Sequence, residues 1–205
     1  MRLHHSPTSP FVRKCLVCAH ELGLFAWLTL VPAVAHPVQG DARLAELNPL
    51  GKIPILETEA DGVLYDSRVI CEYLDTLAGG GRLLPAPGPA RWPVRVDEAL
   101  GDGILDAAVL NRYETAVRPE KLRWAEWSAG QMAKVGAALA TLERRAPALA
   151  GRLDVGTIAI GCALGYLDFR YAPLGWRSAH PRLAAWFATL EARPSMLATR
   201  PPAGA

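Results

Sequence analysis

The spacing of apolar positions changes character once along the chain, near residue 80. Before that point the apolar runs are short and mixed in period. Residues 2–6, 27–31, 53–57 and 63–65 read as strands, the last two separated by the turn at Ala60-Asp61-Gly62. Residues 10–22 read as a helix, with Pro10 at its first turn and Gly23 suited to its C-terminal cap. A short helix is expected over 42–47, and Asp66 or Ser67 caps another that runs to about residue 77. The order βαβ-α-ββα implies an α/β sandwich of a little under eighty residues.

Gly and Pro crowd residues 79–89 too densely for helix or strand, so this stretch is expected to be a linker. Beyond it the period is helical, with candidate helices over 91–117, 121–145, 155–170 and 181–192. Residues 157–167 are apolar all round, which marks a central buried helix, and Asp154 is placed to cap it. The expected organisation is therefore an α/β domain over 1–78, a linker over 79–89 and an all-α helical bundle over 90–205.

Composition narrows the function classes. Half of the 205 residues are apolar, enough for a sizeable core, and the net charge is only +2 with both signs interspersed. That gives no case for a nucleic-acid or membrane surface. The opening residues lack the long apolar stretch of a signal peptide, and nothing reaches the roughly eighteen apolar residues of a membrane span. Four Cys in such a chain point to reduced thiols. The expectation is a soluble, cytoplasmic protein.

The candidate chemistry lies in two segments. Pro54 opens a strand just after Gly51-Lys52, a place where a residue without an N–H is tolerated. An X-Pro bond costs little to be cis, so Pro54 can turn the backbone of Ile53 outward, as an extended peptide ligand needs for strand-like pairing. Asp66-Ser67 stands where a strand hands over to a helix, and a helix start receives a carboxylate. Together they describe a site for a small peptide with a charged end.

Several motifs extend this. They are Ser9-Pro10-Phe11-Val12-Arg13-Lys14, Asn48-Pro49-Leu50-Gly51-Lys52-Ile53-Pro54, Asp66-Ser67, and Ala163-Leu164-Gly165-Tyr166-Leu167-Asp168-Phe169-Arg170. With the domain order, they make the chain resemble the cytosolic glutathione S-transferase superfamily, and within it the bacterial YibF-type group. The resemblance covers essentially the whole chain. It implies a thioredoxin-like N-terminal domain, an all-α C-terminal domain, a homodimer and a role in detoxification, with glutathione as co-substrate and no metal. The backbone of Ile53 beside a cis Pro54 would pair with the cysteinyl part of the tripeptide. Asp66 and Ser67 would hold its γ-glutamyl end, and Lys52 its glycyl carboxylate or the neighbourhood of that group. Thr8, Ser9 and Phe11 would belong to the glutathione site, with Ser9 facing the sulfur as the catalytic residue of a serine-type site. Alignment on Pro10-Phe11 favours Ser9, with Thr8 and then Ser6 as alternatives. Ordinary thiols ionise near pH 8.5 and only the thiolate is nucleophilic. A hydroxyl donor at a helix N-terminus could lower that by ~1–2 units. The electrophile implied is small and hydrophobic, with Asp102, Asp106, Asn111, Arg112 and Tyr113 on the helix that would face it. One departure from the family pattern is visible: Asp154 and Thr157 stand in the reverse of the usual Ser/Thr…Asp order at the buried helix.

Two rival readings remain. A glutathione-binding or interaction module would keep the fold with little catalysis. A thiol–disulfide oxidoreductase would use Cys15 of the Cys15-Leu16-Val17-Cys18 motif, but that cysteine lies well inside its helix rather than at the N-terminus, where thiolate is favoured. Packing is the simpler role for all four Cys. The five His show no spacing suited to a metal.

Overall fold

The computed structural model describes residues 1–203. Its residues group into two compact units, one of Met1–Val94 joined by the stretch from Pro194, the other of Arg95–Arg193. The first is a small mixed sheet with helices and the second is helical throughout.

In the first unit, β1 (Arg2–His5) and β3 (Ile55–Glu57) are the inner strands of a sheet ordered β2-β1-β3-β4. β2 (Thr29–Pro32) runs parallel to β1, in register Leu3 to Leu30. β3 is antiparallel to β1, pairing His4 with Ile55, and β4 (Val63–Leu64) is antiparallel to β3, pairing Leu56 with Leu64. The parallel pair needs a crossover, and α1 (Pro10–Glu21) supplies it. α2 (Ala42–Leu47) is capped by the Asp41 carboxylate, which accepts from Arg43 N–H. α3 (Ser67–Leu77) packs on α1, burying Cys15, Cys18, Ile70, Cys71 and Leu74.

Two strand edges differ from the sequence expectation. Residues 25–27 form a 3-10 turn rather than the start of β2, with Phe25 stacked on His20 and Trp27 61% exposed. β3 begins two residues later than expected, because Pro54 has no N–H to give the ladder. The stretch after α3 is tied down at once. The Asp75 carboxylate accepts from the backbone N–H groups of Gly81, Arg82 and Leu83, and Leu83 and Leu84 are buried. The C-terminal α9 (Pro194–Ala198), which the sequence pattern did not reveal, packs on α1. Arg13, buried in α1, donates to Met196 O at 3.1 Å and to Thr199 Oγ1 at 3.4 Å.

The helical unit contains most of α4 (Arg91–Ala116), then α5 (Ala125–Leu149), α6 (Val155–Arg170), α7 (Trp176–Ala179) and α8 (Pro181–Glu191). α6 is its centre: residues 155–164 are all buried. The reversed cap works. Asp154 Oδ1 accepts from Thr157 N–H and Thr157 Oγ1 from Asp154 N–H, both at 2.9 Å, a reciprocal capping box. Gly101 of α4 touches α6 so closely that a Cβ there would lie 2.6 Å from the backbone of Ala159 and Ile160. Buried Asp97 accepts from Arg145 at 2.5 Å and Arg152 at 2.9 Å. Glu143 of α5 caps α8, accepting from Leu183 N–H at 2.8 Å and Arg182 N–H at 3.2 Å. α5 starts after a 3-10 turn at Glu120–Leu122, later than expected, with Glu114 accepting from Trp124 N–H. Pro147 falls in its last turn, and the helix runs on past residue 145.

Candidate functional site

The strand register decides where the candidate segments meet. β1 ends at His5, opposite the start of β3, because His4 pairs with Ile55. β4 runs against β3, so its exit at Leu64 lies at that same end. Three segments therefore leave or enter the sheet at one edge: the loop 6–9, Ile53-Pro54, and Tyr65-Asp66-Ser67. The sequence candidates of the N-terminal unit converge there, apart from any role assigned to them.

The loop 6–9 folds back on itself. Ser9 N–H donates to Ser6 O at 3.1 Å, and the hydroxyls of Ser6 and Thr8 lie 3.2 Å apart. Ser9 is the N-cap of α1, extended at φ −79° and ψ 119°, and its Oγ accepts from Val12 N–H at 3.3 Å. A hydroxyl has one proton and two lone pairs, so capping uses a lone pair and leaves the O–H free to donate. Ser9, Thr8 and Phe11 are half-buried.

Ile53-Pro54 is cis, and Ile53 precedes the first pair of the β1–β3 ladder. The turn before it is held by buried Asn48, whose amide donates to Lys52 O at 2.9 Å and accepts from Leu50 N–H at 3.1 Å. Gly51 has φ +60°, which explains a Gly there. Pro54 is buried and Ile53 half-buried, while the Lys52 side chain is exposed.

Tyr65-Asp66 is a second cis peptide, with no Pro in it. Asp66 is the N-cap of α3, its carboxylate accepting from Arg68 N–H at 2.9 Å. Ser67 is 2% exposed and its carbonyl accepts from the Cys15 thiol at 3.8 Å, which ties the start of α3 to the middle of α1. Sequence reasoning passed over His5, at the C-terminal end of β1. Its Nδ1 is buried without a partner, and burial lowers its pKa, favouring the neutral ring. Its position next to Ser6 was the available signal.

All four cysteines are buried. The Cys18 thiol is pushed well above the usual thiol range by its hydrogen bond with Cys71 and by burial, against an opposing pull from Lys14. Cys71 donates to Cys15 across 4.0 Å. This is packing chemistry, not that of a thiolate nucleophile. Among the described residues no group of three or more His, Cys, Asp or Glu is arranged to hold a metal ion, and no helix is long and apolar enough to cross a membrane.

In the helical unit, Asp102 is buried and Asp106 exposed. Asn111 donates to Tyr171 Oη at 3.1 Å, and that hydroxyl donates to Ala108 O at 2.7 Å. Arg112 and Tyr113 are half-buried beside them.

Residues 8–77 match the family model for the glutathione S-transferase N-terminal domain, and residues 125–189 that for the C-terminal domain. The uncharacterized GST-like protein YibF of Escherichia coli K12 is 35% identical over 98% of this chain and 99% of its own. A glutathione transferase family member from Pseudomonas fluorescens Pf-5, crystallised with glutathione, is 50% identical with a TM-score of 0.95, covering 98% of both chains. A Pf-5 family member crystallised with S-(propanoic acid)-glutathione is 48% identical with a TM-score of 0.90, covering 98% of this chain and 100% of its own.

Proposed function

Because this chain belongs to the glutathione S-transferase family, we propose that it binds glutathione at the sheet edge and transfers it to a small electrophile. The observation that carries this is the convergence of a helix-capping hydroxyl, a cis-proline turn and an acidic cap at one end of the sheet, in a fold whose relatives hold glutathione. In this reading Ile53 offers its backbone to the cysteinyl residue beside Pro54. Asp66 and Ser67 take the γ-glutamyl end, and Lys52 reaches the glycyl carboxylate. Thr8 and Phe11 flank the thiol.

Ser9 is the catalytic residue. Its oxygen is held by Val12 N–H, which leaves the hydroxyl proton to donate to the sulfur. That hydrogen bond and the α1 N-terminus stabilise the thiolate by about 1.4–2.7 kcal/mol, equivalent to ~1–2 pKa units. The thiolate then forms the sulfur–carbon bond directly, with no covalent enzyme intermediate, and the protein contributes charge stabilisation and positioning. The same reading places the chain in the cytoplasm as a homodimer, which sedimentation of the purified protein tests.

The activity test is conjugation of glutathione to a generic aryl halide by the full chain. The reading expects saturable turnover in glutathione. Saturable binding without turnover of any electrophile would favour a binding module instead. Loss of disulfide reduction in Cys15→Ser would revive the oxidoreductase.

A further inference from the structure

We propose that His36 is a proton-operated latch on the loop after β2, a loop that borders the sheet edge assigned above to glutathione. The loop is ordered while the His36 ring is neutral. It is released when the ring takes up a second proton, and ligand binding weakens with it. The effect on binding rests on the proposed glutathione site, whereas the latch itself does not.

The strand register brings the loop to that edge. β2 runs parallel to β1, with Pro32 opposite His5, so both strands leave the sheet on the same side. Ala33 N–H donates to His5 O at 2.8 Å, which carries the pairing one residue past β2. Residues 33–40 therefore form a fourth segment beside the loop 6–9, Ile53-Pro54 and Tyr65-Asp66-Ser67. All four belong to the first compact unit.

Packing does little to hold this segment. Residues 33–40 lie in neither helix nor strand and none is buried, with Val34 71% and Val38 78% exposed. Pro37 has no N–H to give. The next two N–H groups, of Val38 and Gln39, both donate to His36 Nδ1, at 3.2 and 2.9 Å. The ring thus acts as an Asn or Asp side chain does in an Asx turn, accepting from backbone a few residues on. Beyond Gly40 the Asp41 carboxylate caps α2 by accepting from Arg43 N–H. Two side-chain acceptors in succession shape the path from the sheet edge to α2.

The two bonds decide the state of the ring. Nδ1 must offer a lone pair, so the single proton of the neutral ring sits on Nε2. An imidazolium carries a proton on both nitrogens and accepts nothing. Protonation and the two bonds exclude each other, and one added proton removes both at once. Among the described residues no carboxylate, cation or other ring interacts with His36, so its only partners are the two N–H groups. Asp41, the nearest acidic residue in the sequence, is engaged by the Arg43 N–H and guanidinium. An Asn here would hold the loop at every pH, whereas a His makes the hold conditional.

The test uses S-methylglutathione, which has no thiol to titrate. Its affinity for the full chain is measured by calorimetry at about pH 7.5 and about pH 5.5, on either side of the ordinary histidine range. His36→Asn keeps an acceptor for the same two N–H groups and removes the titration. Acidification should weaken binding about fivefold more in the native chain than in His36→Asn, because all other groups titrate alike in both. Equal losses in the two chains would overturn the proposal. A ligand-free arm follows the Val38 and Gln39 amides by proton–nitrogen NMR. Their signals should shift and lose order as the His36 ring titrates, and should stay in place in His36→Asn. Amides that remain ordered through that titration, beside normal S-methylglutathione binding, would reject the latch and leave the glutathione site standing. Amides that respond in a chain that binds no S-methylglutathione at either pH would uphold the latch and reject the glutathione site.

Discussion

Replacing Ser9 separates two jobs that one oxygen does at once. As a cap, Ser9 Oγ accepts from Val12 N–H over 3.3 Å, longer than the usual 2.9–3.0 Å, so its loss belongs at the low end of capping costs, about 0.5–1 kcal/mol. For a chain of this size that lowers Tm by about 1–4 °C. As a donor to the glutathione thiolate, the hydroxyl contributes most of about 1.4–2.7 kcal/mol, a factor of about ten to a hundred in rate where the thiol is mostly protonated. Three variants distinguish the jobs. Ser9→Ala should lose both. Ser9→Thr should restore both in large part. Ser9→Asp should keep the cap, since Asp is among the best N-cap residues, but put a negative charge beside the sulfur. Its stability should match the native chain while its rate falls below that of Ser9→Ala. The assays are thermal unfolding, the rate of aryl-halide conjugation against pH, and thiolate absorbance of the bound tripeptide. In Ser9→Ala the rise of rate with pH should move upward by ~1–2 units, because the thiol ionises later. An unchanged rate and thiol titration in Ser9→Ala, or full activity in Ser9→Asp, would refute the role of Ser9 and shift attention to Thr8 or Ser6.

The scaffold makes predictions of its own. Gly101→Ala places a Cβ 2.6 Å from the backbone of α6, so stability in urea should fall by about 2 kcal/mol or more, or soluble protein should be lost. Asp97→Ala strips a buried carboxylate from two arginines and should cost about 3–5 kcal/mol in the same assay. Glu143 feels burial raising its pKa, but the donations from Leu183 and Arg182 outweigh it and hold the group below the usual carboxylate range. Its contribution is therefore present above the ordinary glutamate pKa of about 4.3 and fades as pH falls below it. Glu143→Gln should flatten that acid-side part of the stability profile, and an unchanged slope would show that the cap does not titrate as argued.

Local chemistry explains which features were legible in the sequence. Helices bounded by strong caps were placed closely: α2 behind Asp41 and α6 behind Asp154 to the residue, and α3 within one, with Asp66 rather than Ser67 as its cap. The cis bond at Pro54 was open to an X-Pro bond at little cost and was implied by the family resemblance. Edges set by distant partners were not. β2 starts after a turn shaped by the stacking of Phe25 on His20, and α5 starts where Glu114 accepts from Trp124. The docking of α9 on the first unit depends on Arg13 reaching across almost the whole sequence, and no local pattern announces it. The site followed the same rule. Its backbone features lie in contiguous motifs, whereas the cluster around Asn111 joins α4 to Tyr171 sixty residues away.

Calorimetric titration of the purified chain with reduced glutathione tests the central claim most directly. Saturable heat with one tripeptide per chain, weakened about tenfold or more when Ser67→Ala removes a hydroxyl at the start of α3, is the predicted result. A folded chain that gives no saturable signal at millimolar glutathione would contradict it.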